Sequence, residues 1–105
     1  MSLNSAELVR TRAELTANLD LTGLTRDQVA ADLGYDATRL RAALEPDGSG
    51  DPVDVWQLRD YLDQAVRDAG RTPVPFTVLT ERSRLRARMW FHLSEAPRHD
   101  FAAAV

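Results

Sequence analysis

The sequence predicts a mainly α-helical fold of four helices, followed by an extended or β-hairpin C-terminal segment. Three observations carry that reading. Helix-start residues recur at Asn4, Thr25, Asp36 and Asp51, each followed by apolar residues at helical spacing. Glycines at 23, 34 and 70 fall where those periodic runs stop. Thr72-Pro73-Val74-Pro75 cannot be helical, and the strand-like Phe76-Thr77-Val78-Leu79 follows it. With 105 residues the chain holds one core. Residues 1–70 form its helical part, 71–94 an extension packed on that part, and 95–105 a fraying tail.

The first helix starts from a capping box, Asn4 with Glu7 three residues on, and runs to about Leu19 with Leu8, Leu15 and Leu19 inward. Thr25 and Gln28 form a second box. The helix they start reaches about Leu33, burying Val29, Ala30 and Leu33. Gly34 supplies the left-handed residue that ends it. Asp36 caps a third helix to about Leu44, with Leu40 and Leu44 inward, and residues 45–50 form a loop. Asp51 caps the fourth helix, with Pro52 at its first position, where no amide is missed. Its apolar stripe is Val55, Leu58, Leu62, Ala65 and Val66. Residues 82–92 are ambiguous. Arginines at 82, 84, 86 and 88 would line one face of a strand, and this alternation favours a hairpin of 76–79 with 85–92. Trp56, Trp90 and Phe91 are expected to pack the C-terminal segment onto the helices.

Composition narrows the function. The chain has no cysteine, which excludes disulfides, thiolate metal sites and a cysteine nucleophile. No apolar run approaches the ~20 residues that span a bilayer, and no secretory signal stands at the start, so a cytoplasmic protein without membrane contact is expected. His92 and His99 lack carboxylates at metal-ligand spacing. No glycine-rich phosphate loop is present, and the Asp-rich fourth helix reads as a solvated face. Catalytic residues, a metal, a cofactor and a small-molecule substrate are therefore not expected. All 13 basic residues are arginine, which reads as GC-rich coding before it reads as selection for guanidinium forks. Net charge is −3, but residues 71–105 carry six arginines against three acids.

Residues 24–44 hold the most informative pattern. Ala30 leaves room where two short helices nearly touch, Gly34 makes the turn, and Val29, Leu33 and Leu40 fill the wedge. This spacing resembles a helix-turn-helix of the lambda-repressor-like type. The resemblance implies that Thr38 and Arg41 meet base edges in the major groove, while Arg26 and Arg39 hold phosphates. Tyr35 and Asp36 would stand where that helix enters the groove. Arg84 and Arg86 of the arginine run are further phosphate candidates. The same run also reads as a charged strand edge, or as the partner of the acidic fourth helix. Over residues 24–45, three arginines face four acids, a thin charge for DNA. The leading expectation is a homodimeric DNA-binding regulator. The alternative is a protein-interaction module on the same fold.

The flanks extend the resemblance. Met1-Ser2-Leu3-Asn4, the 24–44 stretch, Val55-Trp56-Gln57-Leu58-Arg59-Asp60-Tyr61-Leu62 and Gly70-Arg71-Thr72-Pro73-Val74-Pro75-Phe76-Thr77 look like the domain of unknown function 2316 family of short bacterial proteins. The likeness covers about residues 1–80 and continues loosely to Trp90-Phe91; the arginine run and the alanine-rich end stand outside it. It implies a small lambda-repressor-like helical fold with an extended C-terminal segment, and it brings no site residues.

Overall fold

The computed structural model describes residues 3–104. In chain order the helices are α1 (Ser5–Thr22), α2 (Arg26–Leu33), α3 (Ala37–Leu44), α4 (Pro52–Asp68) and α5 (Glu81–Trp90), with a 3-10 turn at Phe101–Ala104. Each of the first four begins at the expected cap. The Asn4 carboxamide oxygen accepts from Glu7 N at 2.8 Å, and the Glu7 carboxylate accepts from Asn4 N at 3.0 Å. Thr25 and Gln28 repeat the arrangement. Asp36 accepts from Arg39 N at 2.7 Å, and Asp51 from Val53 N at 2.9 Å. α1 runs three residues beyond the expected Leu19, ending where Gly23 turns left-handed at φ +72°.

Gly34 closes α2 at φ +73°, and a Cβ placed there meets nothing within 4 Å. A side chain at this position is therefore resisted by backbone strain alone, roughly 1–2 kcal/mol. Gly34→Ala should lower the melting temperature by about 4–16 °C at 4–8 °C per kcal/mol, measured by circular dichroism, with no change in helix content.

α4 is the centre of the core. Leu58, Tyr61, Leu62 and Val66 are fully buried on it. Leu15 of α1, Val29 of α2 and Leu44 of α3 are buried in the same core. Pro73, Phe76, Val78 and Leu79 are buried as well, and Phe76 and Leu79 join that core. That extended stretch has no sheet partner, so its backbone polar groups need side chains. Asn18 accepts from Val74 N at 2.9 Å and donates to Val74 O at 3.0 Å. One turn earlier on the same face, the Glu14 carboxylate accepts from Thr77 N at 3.0 Å and Thr77 Oγ1 at 2.6 Å. Two α1 side chains thus stand in for a β-strand.

The expected β-hairpin is not formed: the described residues contain no strand, and 81–90 is a fifth helix. Its physical reasons are local. Thr80 caps it by accepting from Ser83 N at 3.1 Å, and Glu81 sits in its first turn. The segment Glu-Arg-Ser-Arg-Leu-Arg-Ala-Arg-Met-Trp contains no β-branched residue and is rich in strong helix formers. Phe91 packs on the core as expected, whereas Trp90 is 70% exposed.

The segment expected to fray is tied down. Gln57 Nε2 donates to Glu95 O at 2.8 Å, Arg98 reaches Gln64 and Asp68, and His99 Nδ1 lies 2.6 Å from Asp32. Ala96 and Phe101 pack against the core. These contacts join the chain end to α2 and α4.

Candidate nucleic-acid interface

α2 and α3 are joined by Gly34, Tyr35 and Asp36 alone. Leu40, Ala43 and Leu44 face inward, which leaves Ala37, Thr38, Arg41 and Ala42 exposed on the outer side of α3. The two expected base-reading residues, Thr38 and Arg41, therefore share one open face. The Arg41 Nε bonds Glu45 at 3.0 Å, one turn along the helix, with 77% of its side chain exposed. A pair so exposed is weak and exchanges readily for another anion. Arg26 is exposed in the first turn of α2.

The other expected phosphate ligands lie elsewhere. Arg39 forms a two-bond fork with Asp54 of α4, at 2.8 and 2.9 Å, and its guanidinium lies 4.1 Å from the centre of the Tyr35 ring. Arg84 is 13% exposed in its side chain, bound to Asp60 at 2.8 Å and to Glu81 at 2.9 Å, and placed over Trp56. Both are fastened to carboxylates of the chain itself, Arg84 nearly buried and Arg39 with half of its side chain still exposed. Arg86 is exposed on α5, beside a cavity rather than beside α3. Tyr35, expected at the mouth of a groove, is instead buried, and its hydroxyl bonds Gln57 Oε1 at 2.6 Å. Burial and the neighbouring Asp54 push that hydroxyl well above its ordinary range.

Arg71 was not singled out by sequence. Its Nη1 donates to Leu21 O at 2.7 Å and comes within 3.6 Å of a Cβ built on Gly23. This sets an exposed cation at the α1–α2 turn, three residues before Arg26. The signal lay in Gly70-Arg71, but it needed the fold to bring residues 50 positions apart together.

Electrostatics within the body is set by three carboxylates. The Arg39 guanidinium beside Asp54 holds its carboxyl below the usual carboxylate range. Arg84 does the same for Glu81. Asp32 accepts from Tyr61 Oη at 2.5 Å, and Tyr61 titrates far above its ordinary value because of burial and that carboxylate. Asp54 and Glu81 stay ionised in the folded chain to lower pH than in the unfolded one. Their stabilisation is complete above about pH 5 and is lost as pH falls through the depressed values. Urea unfolding from pH 7 to 3 should show stability level to about pH 5, then falling. Asp54→Asn should make that fall shallower.

Comparison with known proteins agrees with the residue-level likeness. Residues 1–92 match a family described as an uncharacterized protein conserved in bacteria (DUF2316). The chain belongs to that family. The DUF2316 match runs to His92 and so takes in α5 and its arginines, beyond the stretch to about residue 80 that the motifs marked out. The folded-back segment after His92 lies past it. The DUF2316 description assigns no activity and no site residues. Neither the comparison with curated proteins nor that with solved structures returns a match. Among the described residues no helix is long and apolar enough to cross a membrane.

Proposed function

We propose that the protein is a DNA-binding regulator of helix-turn-helix type that presents the outer face of α3 to the major groove. The observation that carries this reading is the exposure of Thr38 and Arg41 together, between two alanines small enough to let a helix approach base edges. Arg41 reads guanine by its fork, Thr38 contacts a base or phosphate, and Arg26 and Arg71 hold the backbone on the α1–α2 side. Arg39 acts as a clamp: by tying α3 to α4 through Asp54 it fixes the angle at which that face is offered. As a regulator of this type the protein works as a homodimer, with two α3 helices about 34 Å apart.

Mobility-shift assays with fragments of the source genome at low salt test this. A retarded complex should form at micromolar protein and weaken steeply with salt. Arg41→Ala should cost about 1–3 kcal/mol at the preferred site. Absence of any retarded species, or an Arg41→Ala protein that binds like the parent, would remove the proposal.

A second reading, a protein-interaction module, is favoured by one observation. Leu85 and Met89, one turn apart on α5, are 64% and 80% exposed, beside the exposed Trp90. Apolar groups held in water at helical spacing mark contact surfaces. A partner retained on the protein after nuclease treatment, and lost from Leu85→Ser/Met89→Ser, would favour this reading over the first.

A further inference from the structure

Between α5 and the body lies a cavity of about 240 Å³. Leu8 of α1, Val55 and Trp56 of α4, Val78 and Phe91 make its apolar walls, with Trp90 at the rim. Its volume is just below the ~300–1,000 Å³ of drug-sized pockets, so its guest is small. Three polar side chains reach it, and two are already engaged. The Glu7 carboxylate accepts from Asn4 N, and Ser83 Oγ donates to Val78 O at 2.8 Å. The third is Arg86, which makes no salt bridge or hydrogen bond among the described residues, in contrast to Arg84 on the same helix. Its exposed guanidinium stands at the edge of the apolar walls, where a guest's anionic head could meet it while the apolar body is buried. Walls of this kind offer water few partners.

We infer that this cavity binds a small amphipathic organic anion, its flat or short apolar body against Trp56, Val78 and Phe91 and its carboxylate or sulfonate on Arg86. Trp90, 70% exposed at the rim, offers its ring to the guest's apolar body. Arg86 selects the class: the other charged group of the lining, Glu7, is already engaged at the N-terminus of α1, whereas a neutral guest leaves Arg86 without a partner. The site stands apart from the α3 face and does not depend on the DNA reading.

The test titrates the full chain with 8-anilinonaphthalene-1-sulfonate and displaces it with 2-naphthoate, decanoate and the neutral 2-naphthol. One probe should bind per chain with saturation. At least one carboxylate should displace it, and 2-naphthol should do so at least tenfold less well. Naphthoate alone would mark an aromatic acid site, and decanoate alone an aliphatic one. Arg86→Glu should weaken the probe at least tenfold with melting temperature unchanged, since the residue is exposed. Arg86→Ala should fall between the two. Trp90→Ala should weaken all guests alike while Trp56 still reports binding. Non-saturating binding, equal displacement by naphthol and naphthoate, or full binding by Arg86→Glu would overturn the inference.

Discussion

Replacing Asn18 by alanine should destabilise the protein by about 3 kcal/mol, because Val74 N–H and C=O lose their partners together and a void opens beneath the extended segment. At 4–8 °C per kcal/mol, that is a fall in melting temperature of roughly 12–24 °C. Asn18 is fully buried, so its side chain is replaced by a void rather than by bulk solvent. Asn18→Asp keeps the acceptor for Val74 N and removes the donor to Val74 O, so its loss should be smaller when pH keeps the acid ionised. Hydrogen exchange should show the Val74 and Thr77 amides losing protection before those of α4. A melting temperature within about 2 °C of the parent would show that the segment is held by its apolar contacts alone.

Leu62→Ala carries the largest expected loss, about 2–5 kcal/mol, since Leu62 is fully buried on α4 in a core that α1, α2 and α3 share. The same chemical change at Leu85 should cost less than about 0.5 kcal/mol, because Leu85 stands in solvent. Urea midpoints for the two variants measure the contrast directly. Equal losses would mean that α5 buries its apolar side, against the arrangement found here.

The first four helices were legible because their signals are local. A cap and its partner lie three residues apart, and an apolar stripe lies within one helix, so Asn4, Thr25, Asp36 and Asp51 announce their helices unaided. α5 was misread because arginine at every second position imitates a strand. The decisive facts were the lack of β-branched residues and the Thr80–Ser83 cap, both present in the sequence and outweighed by that alternation. The anchoring of the extended stretch after Gly70 was hidden for a different reason. Asn18 and Glu14 look like solvated residues of α1 until the chain returns, 56 and 63 positions later, to be bonded by them.

The α3 face was only half visible for the same reason. Thr38 and Arg41 follow from helical spacing once Leu40 and Leu44 are known to face inward. The fate of Arg39 depends on Asp54, 15 residues on, and that of Arg84 on Asp60, 24 residues before it. Charge counted along the chain therefore overstated the cations free to meet phosphate. The fold pairs two of them internally and adds Arg71 at the α1–α2 turn.

The most direct measurement is a titration of ¹⁵N-labelled protein with a duplex selected from random sequences by the protein itself. If α3 is the working face, the amide resonances of Ala37 to Ala42 and of Arg26 should move most, while those of α5 stay within their error. Resonances that shift only along α5, or a chain that selects no duplex, would contradict the assignment of α3 to the groove.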